Sequence, residues 1–183
     1  MNEANKVLKE IERMTERKFL PFVGPDRGRV LIETIRKIKP KRILEVGTLM
    51  GYSAILMGNE LGSGAELITV EIDADEAEMA RENIRKARIP PTLDVIVGDV
   101  IEVLPKLTGK FDMVFIDADK GEYLDYLRSV EDRLHPKSVV VADNAGIFAD
   151  QMMDYLEYVR SSGKYSSKYV SVGEDGLEVS VKL

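Results

Sequence analysis

From residue 42 onward, short apolar runs alternate with helical stretches, five times over. The runs are 42–47, 66–72, 93–97, 111–117 and 138–143; the stretches between and after them are 52–61, 75–88, 100–107, 122–134 and 148–160. Short runs of this kind suit strands covered on both faces, and parallel neighbours need a crossover helix between them. The last two segments, 168–172 and 177–182, alternate apolar and polar residues around Gly173-Glu174-Asp175-Gly176 and read as a hairpin. The expected fold is therefore α/β: a doubly wound, mostly parallel seven-stranded sheet with a C-terminal antiparallel hairpin, Rossmann-like in its winding.

Two helices are expected ahead of this repeat. Residues 2–17 carry Val7, Leu8, Ile11 and Met14 as one stripe on a charged segment. Residues 19–28 read as an irregular link containing Pro21, Gly24, Pro25 and Gly28. A second helix then turns Val30, Leu31, Thr34, Ile35 and Ile38 inward, with Pro40 just past its end. A chain of 183 residues suits one domain, residues 1–183, with 1–40 packing on the sheet. Such a domain buries roughly 70% of its unfolded surface.

Composition narrows the function classes. The 26 basic and 32 acidic residues leave a net charge of −6, which disfavours a broad nucleic-acid surface. Without cysteine there is no disulfide, thiol nucleophile or thiolate metal site. No apolar run approaches the ~18 residues of a membrane span. The reading is a soluble, cytoplasmic protein without a membrane partner, and the exposed N-terminal helices make a homodimer plausible.

Ligands of open parallel sheets bind outside the carboxyl ends of the strands, where strand order reverses. Here those ends carry Glu45 and Gly47, Glu71, Asp99, Asp117, and Asp143 with Asn144. A buried acid is costly unless paired, hydrogen-bonded or on a metal, so this edge is the expected site. Gly47 and Gly51 follow the first strand and permit a sharp turn and close approach to a ligand. The middle position of that turn holds Leu49, and Gly-x-Gly-x-x-Gly is absent. That favours a nucleoside with a compact tail, S-adenosylmethionine, over a dinucleotide. Glu71, about 20 residues past the turn, is placed to accept the ribose hydroxyls. Asp117, Asp143 and Asn144 offer three oxygens from adjacent strands, a donor set that suits Mg²⁺ or another hard divalent cation. Lys120, three residues after Asp117, is the candidate general base. His135, the only histidine, falls before the fifth strand, at the edge away from the expected site.

At these residues the chain resembles the cation-dependent O-methyltransferases of the catechol and caffeoyl-CoA type, in their compact prokaryotic form. The matching motifs are Glu45-Val-Gly-Thr-Leu-Met-Gly-Tyr-Ser-Ala, Val70-Glu71-Ile72-Asp73, Gly98-Asp99, Phe115 to Lys120 with Tyr123, Ala142-Asp143-Asn144 and Asp175-Gly176-Leu177, in order and in approximate spacing. The resemblance implies a class I methyltransferase fold and an S-adenosylmethionine-dependent O-methyltransferase. It places Val23, Gly47 and the loop through Thr48 to Gly51 at the methionine end of the cofactor, with Ser53 at its carboxylate. It places Glu71 at the ribose and Asp99 at the adenine, and counts Glu45 and Asp117 among the cofactor-binding positions. Asp117, Asp143 and Asn144 would hold the divalent cation, and Lys120 would take the proton from a small hydroxylated, catechol-like acceptor.

Two other readings stand beside this one. A hydroxylated uridine of tRNA as acceptor would use Arg13, Arg17, Lys18, Arg27 and Arg29 as a local basic face. A protein that binds S-adenosylmethionine without turnover is disfavoured by the intact Lys120 and metal positions. The short connection after Asn144 and the lack of tryptophan separate this chain from many relatives at the acceptor side.

Overall fold

The computed structural model describes residues 2–15 and 21–183. Helices α1 (Glu3–Thr15) and α2 (Gly24–Ile38) come first. The alternating part follows as β1 (Arg42–Val46), α3 (Tyr52–Gly58), β2 (Glu66–Glu71), α4 (Ala74–Ala87), β3 (Thr92–Val97), α5 (Val100–Val103), β4 (Phe111–Ile116), α6 (Tyr123–Val130), β5 (Leu134–Ala142) and α7 (Met153–Ser161). The hairpin strands β6 (Tyr165–Val172) and β7 (Asp175–Lys182) close the chain. All seven strands form one sheet in the order β3-β2-β1-β4-β5-β7-β6. β1 to β5 are parallel, and β7 runs antiparallel to β5 and β6. Strand order reverses between β1 and β4, as a doubly wound sheet requires.

Side chains of a strand point alternately to its two faces, and each face here is a separate apolar layer. Leu44, Val46, Ile68, Val70, Val114, Ile116 and Val140 pack with α5, α6 and α7. Ile43, Leu67, Met113, Phe115, Val139 and Val141 pack with α1, α2 and α3. Each such aliphatic or aromatic side chain contributes about 1.5–3 kcal/mol by leaving water. Every residue of α3 is buried, because α1, α2 and α4 enclose it against the sheet. Among the described residues no helix is long and apolar enough to cross a membrane.

Several boundaries differ from the sequence reading. α2 starts at Gly24, so Gly24, Pro25 and Gly28 belong to the helix and not to an irregular link. Proline is tolerated in a first helical turn, where its missing N–H has no partner to lose. Gly28 is the contact with α3: a Cβ there would lie 2.6 Å from Leu56 Cδ2. Met14 is exposed, and Ala4 joins Val7, Leu8 and Ile11 on the buried stripe of α1. Arg17 and Phe19 lie outside the described residues. The helix expected over 122–134 ends at Val130, and β5 begins at Leu134. The partners of β5 jump from Leu134 to Val139 while β4 advances from Phe111 to Met113. Ser138 Oγ closes this bulge by donating to Phe111 O and accepting from His135 N. At the C-terminus the turn is Gly173-Glu174, and Asp175 and Gly176 already belong to β7.

His135 lies at the amino end of the sheet. Its Nε2 is 2.8 Å from Asp112 Oδ1, and its Nδ1 is 2.8 Å from Pro136 O. The Pro136 carbonyl and then Asp112 raise the imidazole above its ordinary value. Burial pushes the Asp112 carboxyl up, but His135 and the amides of Lys41 and Arg42 outweigh it and hold Asp112 low. A raised histidine contributes stability below its unfolded pKa, about 6.5, and the contribution is lost as pH rises through the folded value. His135→Ala should therefore lower the urea midpoint at about pH 5.5, and the difference from wild type should close above about pH 8. Equal differences at both pH values would exclude the charged pair as the cause.

Candidate active site

A cavity of about 810 Å³ opens at the carboxyl edge of the sheet, over the reversal between β1 and β4. Gly47, Glu71, Asp99, Asp117, Lys120, Asp143 and Asn144 all line it. A side pocket of about 20 Å³ shares Gly47 and Asp117 with it and adds Thr48 and Ser53. Glu45, Gly51 and Val23 line neither.

The loop after β1 is held by one carboxylate. Glu71 Oε2 accepts from the amides of Thr48 (3.0 Å) and Leu49 (2.8 Å), and Oε1 accepts from Asp73 N (3.1 Å). Asp73, not Glu71, caps α4, by accepting from the amides of Asp75 and Glu76. Gly47 has φ +90° and Gly51 φ +84°, and Leu49 between them takes a left-handed φ of +48°. The clearance that these glycines give is used by the protein itself. A Cβ on Gly47 would lie 2.2 Å from Asp117 O, and one on Gly51 would lie 3.3 Å from Ala80 of α4. The close approach at Gly51 is thus between the loop and α4, not between the loop and the cavity.

Glu45 lies under this loop, fully buried. Neither of its oxygens has a partner in hydrogen-bond geometry among the described residues. Burial raises its carboxyl to about 8; the Ser53 and Thr69 hydroxyls hold the shift back, and Asp117 and Glu71 add to it. Burial thus favours the neutral acid at Glu45. Thr48 and Thr69 join their hydroxyls beside it. Asp99 caps α5 through Ile101 N (2.8 Å) while also facing the cavity.

On the β4–β5 side, Lys120 Nζ donates to Asp117 Oδ1 (2.9 Å) and to the Tyr123 hydroxyl (2.8 Å). Tyr123 is buried, and burial, followed by Asp117 and Asp143, pushes its phenol well above the ordinary value. It stays protonated and donates to Asp143 O at 3.4 Å. Asp117 and Asp143 cap no helix. Asn144 is a turn residue with φ +60°, and its Nδ2 donates to Asp175 Oδ2 at 2.8 Å.

Asp143 is the least satisfied group of the set. It has no exposed surface, and neither carboxylate oxygen accepts a hydrogen bond from the described residues. Arg27 Nε stands 3.1 Å from Oδ1 but directs its proton to Val23 O, 3.2 Å away. Burial, then Asp117, raises the Asp143 carboxyl well above the usual carboxylate range, with Arg27 opposing them. Among the described residues no three His, Cys, Asp or Glu side chains are grouped for a metal ion. The set here is two carboxylates and one amide.

Two residues outside the expected site hold it together. Asp175 accepts from Asn144 Nδ2, from the amides of Gly146 and Ile147 (3.0 Å each), and from Arg27 Nη1 (2.8 Å). Burial pushes the Asp175 carboxyl up, but Asn144 and these amides outweigh it and keep it ionised. Arg27, read from the sequence as part of a basic face, points inward to Asp143 and Asp175. Arg29 pairs with Asp26, and Arg17 and Lys18 lie outside the described residues. Within the sequence, Asp175 was signalled only by the Asp-Gly-Leu motif, and nothing distinguished Arg27 from its basic neighbours.

With this geometry in hand, the comparisons with known proteins agree. The family model described as O-methyltransferase matches residues 1–155. Catechol O-methyltransferase B of Danio rerio is 34% identical over 180 residues, covering 91% of this chain and 67% of that protein. The catechol O-methyltransferase of Niastella koreensis is 39% identical over 126 residues, covering 67% of this chain. This second match spans 57% of the relative's own length. In three dimensions, the O-methyltransferase from Bacillus cereus in complex with SAH matches with a TM-score of 0.86 at 26% identity, over 97% of this chain and 91% of that one. The chain belongs to the O-methyltransferase family.

Proposed function

We propose that this chain transfers the methyl group of S-adenosylmethionine to a hydroxyl of a small, catechol-like acceptor, with Mg²⁺ or another divalent cation at Asp117, Asp143 and Asn144. The observation that carries the reading is Asp143, a fully buried carboxylate without a hydrogen bond, facing the cavity beside Lys120. A buried carboxylate that accepts no hydrogen bond is expensive even with Arg27 beside it, and a cation in direct contact would remove the expense. Asn144 commits its amide nitrogen to Asp175, which leaves its carbonyl oxygen for a cation. With Asp117 the donors are all hard oxygens, as Mg²⁺ prefers. The names of the relatives support the acceptor class.

The cavity volume lies in the range of about 300–1,000 Å³ typical of small-molecule sites. In this reading the methyl donor lies along the carboxyl edge. Glu71 spends three amides' worth of its acceptor capacity on the loop and keeps the rest for ribose hydroxyls. Ser53 and Thr48, in the side pocket, face the amino-acid tail, and Asp99 faces the base.

A divalent cation at this site would withdraw charge from the acceptor hydroxyl and fix its direction. Lys120, as the neutral amine left once its ammonium has given a proton to solvent, would receive the hydroxyl proton at Nζ. The acceptor oxygen forms its bond to the methyl carbon as the carbon–sulfur bond breaks, and the electron pair passes to sulfur, leaving SAH. In the structure Lys120 Nζ donates to Asp117 Oδ1 and to the Tyr123 hydroxyl, and these two contacts hold it at the cavity where an acceptor hydroxyl would lie. Holding donor and acceptor in one cavity supplies much of the acceleration, because the encounter no longer costs translational entropy.

Turnover of a simple catechol with Mg²⁺ should fall about 10²-fold or more in Asp143→Ala and in wild type with chelator, while calorimetry still detects SAH binding. Undiminished activity in Asp143→Ala, or in an Asp117→Ala/Asp143→Ala double variant, would sink the metal role. Lys120→Met should lower kcat by about 10²- to 10⁴-fold with the KM for S-adenosylmethionine little changed. An unchanged kcat would remove Lys120 from the reaction.

A further inference from the structure

Arg27 stands on the first turn of α2 and lines the main cavity. Nε donates to Val23 O and Nη2 to Phe22 O, both at 3.2 Å. Nη1 donates to Asp175 Oδ2 at 2.8 Å, and Nε lies 3.1 Å from Asp143 Oδ1. Phe22 lines both the cavity and its side pocket, and its ring packs on Tyr52 with centroids 4.6 Å apart. Asp175 in turn orients Asn144 and the turn that carries Ile147, which also lines the cavity. The guanidinium therefore ties the Phe22–Val23 wall to the Asp143–Asn144 end. A planar fork with five donors can serve acceptors in three directions at once; an ammonium cannot hold that geometry.

Each of the three guanidinium nitrogens donates to the protein, so the position of Arg27 is set from three sides. The guanidinium is also shared unevenly. Nε directs its proton to Val23 O while its charge faces the unpartnered Asp143 oxygen. Any other cation at Asp143 competes for that charge and leaves Arg27 to Val23, Phe22 and Asp175 alone. We infer that Arg27 is a positioning residue that couples cation occupancy at Asp143 to the Phe22–Val23 wall, and through that wall to binding of the methyl donor. The inference rests on the proposed cation site. The coupling is reciprocal: the cation tightens the donor by the same factor as the donor tightens the cation.

The test is calorimetric and needs no turnover. SAH is titrated into wild type, Arg27→Met and Arg27→Lys, each with and without saturating Mg²⁺, and Mg²⁺ is titrated into each protein alone. In wild type, Mg²⁺ should tighten SAH about fivefold or more, the lower end of ordinary coupling. In Arg27→Met the ratio should fall to about one. In Arg27→Lys, which keeps the charge and loses the fork, the ratio should fall below the wild-type value; this variant carries the test if the methionine variant does not fold. A wild-type ratio of one, or a ratio preserved in both variants with Mg²⁺ still bound, overturns the coupling. No Mg²⁺ binding to wild type, with or without SAH, overturns the cation site itself, and the coupling with it.

Discussion

Of the carboxylates buried or nearly so at one edge of the sheet, four meet the cost of desolvation through different surroundings. Burial favours the neutral form of Glu45, Glu71 accepts three backbone amides, and Asp117 pairs with Lys120. Asp143 is raised by burial as Glu45 is, accepts no hydrogen bond from the described residues, and has the charge of Arg27 3.1 Å away. The arrangement of the site follows from these four solutions. Glu71 shapes the loop after β1, and Asp117 keeps Lys120 in place. Asp143 is left accepting no hydrogen bond from the described residues.

The sheet makes this possible because it supplies a rigid edge. β1 and β4 sit side by side at the reversal, with Asp117 N bonded to Val46 O and Gly47 N to Val70 O. The backbone passes so closely that only glycine fits at residue 47. On the other side of the loop, Ala80 of α4 fills the space that Gly51 leaves. Both glycines hold the loop down on the protein. The cavity is therefore formed by what the loop does not cover, not by room that the glycines leave for a ligand.

The N-terminal segment takes part in the site as well as covering the sheet. Tyr52 Oη donates to Glu12 Oε1 at 2.7 Å, joining α1 to the start of α3. Phe22 packs on the same tyrosine, and Arg27 draws the Phe22 and Val23 carbonyls toward Asp175. Tethers of this kind keep a short wall in register with groups on β5 and β7, which local propensity alone would not do.

Much of the fold was legible in the sequence because its signals are local. Period-two runs, helical stripes and the Gly-Glu turn act within a few residues, and the one-sided alternation of βα units leaves few topologies open. Boundaries failed where a local signal had two meanings: Pro25 and Gly28 read as a break but serve a helix start and a helix contact. By itself, then, the sequence determined the doubly wound sheet, the polar strand ends and the cluster of Glu71, Asp99, Asp117, Lys120, Asp143 and Asn144 around one edge. Only the tertiary structure decided that Gly51 faces α4, that Glu45 lies closed off beneath the loop, and that Arg27 meets Asp175 from 148 positions away. Those outcomes depend on which elements lie against each other and how closely, and no local spacing carries that information.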